Sequence, residues 1–303
     1  MSDRLLKFLF HHAPVRGEVV RLSHSWQQMT ALHAYPEPVL RLLGETTAAA
    51  TLLSATIKFD GNLILQIHGE GPVQLLVVEC RPDLAFRATA KVRANAHIEA
   101  GAGWHQLVNA GGQGRCAITL DPGRSPAGQQ RYQGIVPLQG SSVAEALEAY
   151  LRQSEQIESR LWLAADAQAA TGLLLQRIAR PSAAGIEQDE DAWRRTTTLS
   201  ETVSPAELLG TSADEVVHRL FWQEELERYA PVTPRFCCTC SRGRTGRMLL
   251  TLGRAEVDSI LAEQGAVSVT CDFCNAHYSF DAVDIGQLFA TGSTEPARPE
   301  PPH

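Results

Sequence analysis

Apolar residues occupy every second position in several short segments of the first 180 residues. Residues 62–68 show this pattern, with Leu63, Leu65 and Ile67 apolar, and the period of two predicts a strand with one buried face. Turn sequences at Asp60-Gly61 and at 69–72 flank this segment, so we expect a hairpin turn on either side of it. The other predicted strands are 18–22 at a sheet edge, 74–79, 86–93, 115–120, and a closing hairpin of 161–165 with 173–178.

Helical spacing is confined to a few segments of this region. Residues 38–57 carry Leu40 and Leu43 followed by alanine-rich turns, and a Ser-x-x-Glu capping box at 142–145 opens a helix to about residue 156. Antiparallel strands joined by few crossover helices favour an α+β fold over a doubly wound sheet. We therefore predict a large N-terminal α+β domain with antiparallel sheets over residues 1–178.

The pattern changes after Pro181, where residues 182–191 are small and acidic and show no apolar periodicity. Two capping sequences, at 204–207 and 212–215, predict two short helices. The region is too short to form a core of its own, so its large apolar side chains are expected to dock on the N-terminal domain, permanently or reversibly. We assign residues 179–230 to a helical linker region, with Trp193, Phe221 and Trp222 as its docking groups.

A small C-terminal module is predicted over residues 231–290, followed by a disordered tail at 291–303 that is rich in proline. Within the module we expect a helix at 255–264 capped by Gly265, a short strand at 267–269 and a final helix at 281–290. The segment around Gly243 and Gly246 is expected to be a flexible basic loop.

Four cysteines of this module are spaced as ligands of one tetrahedral zinc ion. Cys238 and Cys240 form one close pair, and Cys271 and Cys274 form a second pair after thirty intervening residues. Two neighbouring side chains remain open as alternative ligands, because Cys237 has the more usual two-residue spacing to Cys240 and His277 follows Cys274 by three residues. Thiols in such close pairs can also form disulfides, so the same residues can hold a metal or respond to oxidants.

The net charge and the apolar stretches of the chain disfavour some classes of protein. The 303 residues carry 27 Lys and Arg against 34 Asp and Glu, and this net charge of −7 disfavours a general nucleic-acid binder. No secretion signal is evident and no apolar stretch is long enough to span a membrane, so we expect a cytoplasmic protein without a membrane partner. In a reducing cytosol, clustered cysteines are more often metal ligands than standing disulfides.

Two further readings of the sequence stay open at this point. A zinc-ribbon nucleic-acid binder is the alternative function, motivated by the arginines around the first cysteine pair. An enzyme is disfavoured, because His11-His12, Ser23-His24-Ser25 and the glycines at 111–114 form no catalytic constellation. The arginines around the first cysteine pair are Arg235, Arg242, Arg244 and Arg247.

Cys80 and Cys116 lie in apolar segments and are expected to be inert core residues.

The chain resembles a known family, the redox-regulated heat-shock chaperone of 33 kDa, which comprises bacterial holdases. The resemblance extends to about residue 290 and covers both the cysteine module and the N-terminal body. The segments that carry it are FCCTCSR (236–242), EVDSIL (256–261), CDFCNAHY (271–278), VRGEVVRL (15–22), KFDG (58–61), QIHGEGP (66–72), YQGIVPL (132–138) and YLRQSEQ (150–156).

This resemblance implies a mechanism. The reduced protein would bind one Zn²⁺ through Cys238, Cys240, Cys271 and Cys274 and be inactive. Oxidation would join Cys238 to Cys240 and Cys271 to Cys274, release zinc, and unfold the module and then the linker. The active protein would form a homodimer and hold unfolding client proteins without ATP. Cys237 departs from the family pattern and leaves the first disulfide open to exchange with Cys240.

Overall fold

The computed structural model describes residues 2–123, 130–178 and 186–291. The chain divides into two compact units, Met1–Phe236 and Cys237–His303. The predicted linker region lies in the first unit, with its residues 179–185 outside the described residues, and the predicted tail lies outside them from residue 292 onward.

The first unit contains two sheets and several helices. Its strands are β1 (Arg4–Phe10), β2 (Val15–Leu22), β3 (Asn62–His68), β4 (Val73–Cys80), β5 (Ala85–Val92), β6 (Arg115–Asp121), β7 (Tyr132–Pro137), β8 (Ser159–Ala165), β9 (Ala170–Arg177), β10 (Leu226–Arg228) and β11 (Arg235–Phe236). Its helices are α1 (His24–Thr30), α2 (Glu37–Thr56), α3 (Trp104–Val108), α4 (Val143–Ser154), α5 (Ile186–Glu201), α6 (Pro205–Gly210) and α7 (Ala213–Phe221).

A five-stranded sheet has the order β10-β1-β2-β9-β8, and every neighbouring pair is antiparallel. A six-stranded sheet has the order β11-β5-β4-β3-β6-β7 and is antiparallel except where β11 joins β5. This arrangement confirms the predicted α+β class with antiparallel sheets. It also confirms the predicted hairpins β3–β4 and β8–β9.

Helix α2 packs against strands of both sheets, and its small residues allow this close approach. A Cβ atom on Gly44 would lie 2.4 Å from the Cβ of Ala165, so only glycine fits there. Thr46, Thr47 and Thr51 are buried, and each hydroxyl donates to the helix carbonyl four residues earlier at 2.7–2.8 Å. The helix can therefore bury polar residues because each hydroxyl has a hydrogen-bond partner.

The other face of the five-stranded sheet is covered by α5, α6 and α7. Because side chains alternate along a strand, this outer face carries Phe8 and Phe10 of β1, Val19 of β2 and Leu173 of β9. The ring of Phe221 from α7 lies 5.0 Å from that of Phe10 and 5.7 Å from that of Phe8, measured between ring centroids. The predicted linker region is thus folded and buries an apolar sheet face.

Several predictions for this unit are wrong. Strand β2 pairs on both sides and is not at an edge, and Asp60-Gly61 connects α2 to β3 instead of joining two strands. Helix α5 begins at Ile186, inside the segment without apolar periodicity. Trp193 and Phe221 are buried as expected, whereas Trp222 is 67 % exposed and does not dock.

The second unit is small and has its own apolar cluster. Its elements are α8 (Arg242–Leu252), α9 (Arg254–Gln264), β12 (Val267–Thr270), β13 (His277–Phe280) and α10 (Ala282–Thr291). Gly265 ends α9 in the left-handed conformation at φ 76°, as predicted for this cap. The expected loop around Gly243 and Gly246 is instead the helix α8, which Ser241 caps by accepting from the Arg244 amide at 3.2 Å. The core residues of the second unit are Leu249, Val257, Val267, Phe280, Ile285 and Leu288.

No helix among the described residues is long and apolar enough to cross a membrane.

Candidate metal centre

Two local structures of the second unit present the four cysteines. Cys238 and Cys240 lie just before α8, whose capping residue is Ser241. Cys271 and Cys274 lie in the turn between β12 and β13. In that turn the Cys271 amide donates to the Ala276 carbonyl, and the Asn275 amide donates to the Cys271 carbonyl, both at 2.9 Å. Asn275 takes the left-handed conformation at φ 56°, which asparagine tolerates better than most residues.

The sulfur atoms of Cys238, Cys240, Cys271 and Cys274 all lie within 4.8 Å of one another. The Sγ atoms of Cys238 and Cys271 are 3.7 Å apart, and those of Cys240 and Cys274 are 3.3 Å apart. Four sulfurs bound to one zinc at about 2.3 Å form a tetrahedron with edges of about 3.8 Å. The observed separations therefore fit a single metal ion at the centre of the cluster.

The surroundings of the thiols determine how a metal would bind. The hydrogen bond with Cys238, together with burial, raises the pKa of the Cys271 thiol to about 12. Burial raises the pKa of Cys274 to about 11. Without a bound metal these groups therefore stay protonated at neutral pH, so a divalent cation must displace their protons, and its binding weakens as the pH falls.

Tyr278 contacts the cysteine cluster, and the sequence alone did not assign it to the site. Its hydroxyl donates to the Sγ atom of Cys240 at 3.1 Å, from a position on β13. Hydrogen bonds to ligand sulfurs orient the ligand and stabilise its charge, so Tyr278 would support a metal ion held by this cluster without being a ligand itself. The available signal was its position four residues after Cys274, at the start of a strand that the sequence analysis missed.

The two alternative ligands lie outside the four-sulfur group. Cys237 is half-buried and does not belong to the cluster. His277 is also outside it, and its Nδ1 atom lies 3.3 Å from the hydroxyl of Thr270. Cys80 and Cys116 are buried in the core of the first unit, as expected, and burial raises the pKa of each thiol to about 12.

Three of the four arginines near the first pair serve the fold of their own unit. Arg242 donates to the Ser279 carbonyl at 2.7 Å, pairs with Asp284 at 2.6 Å and stacks over Phe280. Arg244 donates to the Thr239 hydroxyl, and Arg235, in the first unit, pairs with Asp83. These contacts give Arg235, Arg242 and Arg244 a role in the fold.

Fold and site together define an α+β protein with two compact units, one of which carries a cluster of four thiols able to hold a metal ion. A family model described as Hsp33 protein matches residues 3–281. The chain belongs to the Hsp33 family, whose members are molecular chaperones associated with stress. The resemblance inferred from the sequence motifs is therefore confirmed.

Relatives with known names agree with this assignment. The 33 kDa chaperonin of Methylobacillus flagellatus is 46 % identical over 293 residues, covering 96 % of each chain. That of Pseudomonas paraeruginosa is 44 % identical over 298 residues, covering 98 % of each chain. The crystal structure of a 33 kDa chaperonin from Thermotoga maritima is 21 % identical, with a TM-score of 0.77, and covers 95 % of this chain and 98 % of its own. At this identity the Thermotoga structure supports the fold.

Proposed function

We propose that this protein is a redox-regulated chaperone that holds unfolding proteins without ATP. The observation that carries the proposal is the cluster of four thiols, whose spacing fits one metal ion and whose residues can also form disulfides. In the reduced protein Cys238, Cys240, Cys271 and Cys274 hold one ion, and the protein is inactive. We assign the ion as Zn²⁺, because four thiolates at tetrahedral positions are a preferred ligand set of structural zinc.

Oxidation removes the ligands in pairs. Two thiols reduce one molecule of hydrogen peroxide to two of water and form one S–S bond, so two peroxides oxidise all four residues. The expected products are the Cys238–Cys240 and Cys271–Cys274 disulfides, with Cys237 as a competitor for Cys240. A structural zinc contributes roughly 10–16 kcal/mol in small zinc-folded peptides, so its loss unfolds a unit whose own core is this small.

Unfolding of the second unit then destabilises the linker helices. The buried face of α5 includes Thr196, Thr197 and Ser200, whose hydroxyls donate to carbonyls of the same helix at 2.9–3.0 Å. Ala192 and Trp193 supply the apolar part of this face, and the three hydroxyl-bearing residues add little to it through the hydrophobic effect. The release of α5–α7 exposes the outer face of the five-stranded sheet, and we assign this apolar face to the binding of unfolding client proteins.

A buried charge also weakens the docking of the linker. The guanidinium of Arg21 on β2 donates to the Leu208 and Thr211 carbonyls of the linker, both at 3.1 Å. Its Nε atom has no hydrogen-bond partner among the described residues. Burial lowers the pKa of this guanidinium, a sign that the charge is poorly compensated there. The linker is thus positioned by Arg21 but not strongly stabilised by it.

The proposal extends to assembly and location. The oxidised protein forms a homodimer, acts in the cytoplasm and does not catalyse a reaction on its clients. Resistance of a heat-denatured client to aggregation tests the proposal, measured with and without peroxide treatment of the protein, together with zinc and thiol counts. We expect one zinc and four thiols to be lost as suppression of aggregation appears. Zinc loss without any gain in suppression contradicts the proposal.

Two cysteine variants provide matched controls. Cys237→Ser should keep one zinc per chain and should be activated by peroxide, because the four clustered sulfurs remain. Cys240→Ser should lose zinc without oxidant. Mapping of the disulfides by mass spectrometry in the unaltered protein then tests whether Cys237 competes for Cys240.

A further inference from the structure

Residues 225–236, here called the strap, add an edge strand to each sheet of the first unit. The strap first pairs with β1 through β10, in the register Phe8 with Arg228, Leu9 with Glu227 and Phe10 with Leu226. It then pairs with β5 through β11, where the Arg235 amide donates to the Leu84 carbonyl at 3.2 Å. The residue after the strap is Cys237, the first of the second unit.

Main-chain groups hold most of the strap on β1. The His11 amide donates to the Glu225 carbonyl, the Tyr229 amide to the Lys7 carbonyl, and Leu5 and Val232 exchange two bonds, all at 2.8–3.0 Å. Side chains contribute less, because Glu227 and Arg228 are exposed, and Tyr229 and Val232 are 47 % and 40 % exposed. The edge of β1 therefore binds an extended chain mainly through groups that every polypeptide has.

We propose that the edge of β1, once the strap has left it, binds extended segments of unfolding client proteins by strand addition. The inference rests on the proposed function, which supplies the release of the strap when the second unit unfolds. An uncovered edge presents a row of unpaired amides and carbonyls that favours pairing with another chain. Because these groups make few demands on sequence, the edge suits a chaperone that must accept many clients.

The neighbouring side chains add a preference for apolar segments. Leu226 lies opposite Phe10 in the register and packs against the apolar cluster of the outer face. A client residue at the same register position would lie on this face beside Phe10, and the residue two positions further along would lie beside Phe8. The edge of β1 thus adds a main-chain binding site beside the apolar sheet face that we assign to client binding.

Charge favours a client over a second copy of this chain. Strand β1 carries Arg4 and Lys7 and no carboxylate, so two β1 strands paired with each other would bring like charges together. Before release, Arg4 pairs with Asp214 of the linker at 3.0 Å, and Lys7 lies 3.7 Å from Glu18 of β2. Release of the linker leaves Arg4 without Asp214, so the preferred client segments are neutral or acidic, with an apolar residue at every second position.

Residue-resolved hydrogen exchange on the unaltered full chain tests the proposal. The probe is reduced and carboxymethylated α-lactalbumin, an unfolded protein without free thiols. The odd-numbered amides of β1 and its extension, at Leu5, Leu9 and His11, face the strap, and the even-numbered amides face β2. Oxidation should speed exchange of the odd amides by about 100-fold or more, and the probe should restore their protection. The even amides should stay protected throughout.

Each other outcome has a definite meaning. If the probe binds while the odd amides still exchange rapidly, strand addition is wrong and the holdase function stands. If the oxidised protein does not bind the probe, the proposed function fails and strand addition fails with it. If the odd amides regain protection before the probe is added, in proportion to dimer formation, a second copy occupies the edge and the inference is overturned.

A matched pair of variants tests the edge by affinity. Leu9→Pro removes an amide that faces the incoming strand, whereas Leu9→Ala shortens the same side chain and keeps the amide. We expect the oxidised Pro variant to bind the probe about tenfold more weakly than the Ala variant. Equal affinities in two variants that both fold when reduced would contradict strand addition.

Discussion

At the scale of single residues, the Tyr278 hydroxyl and the Glu18 carboxyl each contact a residue from another strand or segment of the chain. The sequence around each residue does not reveal that contact. Tyr278 reaches the sulfur of Cys240 from the adjacent strand. Glu18 is 4 % exposed, faces the side of β2 that packs on α2, and has Lys7 at 3.7 Å as its closest cation. Strand pairing positions both side chains. Tyr278 can be tested by the affinity for zinc, and Glu18 by the stability of the first unit.

The Tyr278→Phe variant tests the support of the metal centre. Loss of the bond to Cys240 should weaken zinc binding by roughly 10–100-fold, because groups that hydrogen-bond to metal ligands typically contribute that much. Competition with a chelating dye measures the affinity. Tyr229→Phe, which removes an exposed hydroxyl in the first unit, should leave the affinity unchanged. Equal affinities for the two variants would mean that the Tyr278 bond is incidental.

The Glu18→Gln variant tests the effect of a buried carboxyl on stability. Burial raises the pKa of Glu18 to about 7, with Lys7 and Arg16 opposing the shift. Between its ordinary pKa of 4.5 and about 7 the folded state holds a proton that the unfolded state releases, so this group makes the first unit less stable as the pH rises through that window. Replacement by glutamine removes that loss.

The gain in the free energy of unfolding from Glu18→Gln should be small at pH 5 and reach up to roughly 3 kcal/mol at pH 8. This figure follows from about 1.4 kcal/mol per pKa unit. Urea unfolding of the reduced protein at the two pH values measures it. A gain that is the same at both pH values would show that the carboxyl is not the titrating group.

At the scale of elements, the linker helices cover the outer face of the five-stranded sheet with different kinds of side chain. Helix α7 supplies Phe221 to an aromatic cluster, whereas α5 places hydroxyls on its buried face. Helix α5 was not predicted, because residues 182–191 are small and acidic and show no apolar periodicity. Its buried apolar contact comes from Ala192 and Trp193 instead.

The Thr196→Val variant should hold the linker more firmly. Thr196 is fully buried and its hydroxyl donates only to carbonyls of its own helix among the contacts described, so valine adds apolar contact without stranding a partner. We expect about 1 kcal/mol of added stability and slower activation by peroxide at an unchanged rate of zinc release. Thr202→Val, at an exposed threonine, is the control. Activation of both variants at the rate of the unaltered protein would contradict weak docking of α5.

Short edge strands also escaped the sequence analysis. Strands β10 and β11 have three and two residues, and main-chain bonds to their neighbours hold them more than a repeating side-chain pattern does. By contrast, β3 has one buried face and was predicted from its alternation. Strand β4 has a buried centre and was predicted from its apolar run. Prediction from the pattern therefore fails where main-chain bonds hold a very short strand, although β1, which has an alternating pattern, was also not predicted.

At the scale of the whole molecule, the two units differ in the size of their apolar cores. The first unit buries large apolar clusters between and outside its sheets. Among the described residues of the second unit, six apolar residues are buried in its core, which makes it marginal for a chain of its length. The sequence spacing predicted the four clustered cysteines, but it did not reveal that sulfurs of different pairs contact each other.

Removal of the metal under reducing conditions should therefore unfold the second unit and leave the sheets of the first unit intact. Calorimetry of the reduced full chain should show two transitions, with the one assigned to the second unit lost after treatment with a strong zinc chelator. Restoring zinc should recover it. A second transition that persists after complete zinc removal would show that the six-residue core is sufficient.

The cross-pairing of the sulfurs has a consequence for chain entropy. Contacts of Cys238 with Cys271 and of Cys240 with Cys274 join positions 33 and 34 residues apart, so a metal at this cluster closes a long loop. Disulfides within each pair close loops of only three or four residues. In the loop-closure model this difference restores roughly 2 kcal/mol of conformational freedom to the unfolded chain. On the proposed function, the same four sulfurs would thus close a long loop while zinc is bound and only short loops after oxidation, so oxidation would favour the open chain even before any packing is lost.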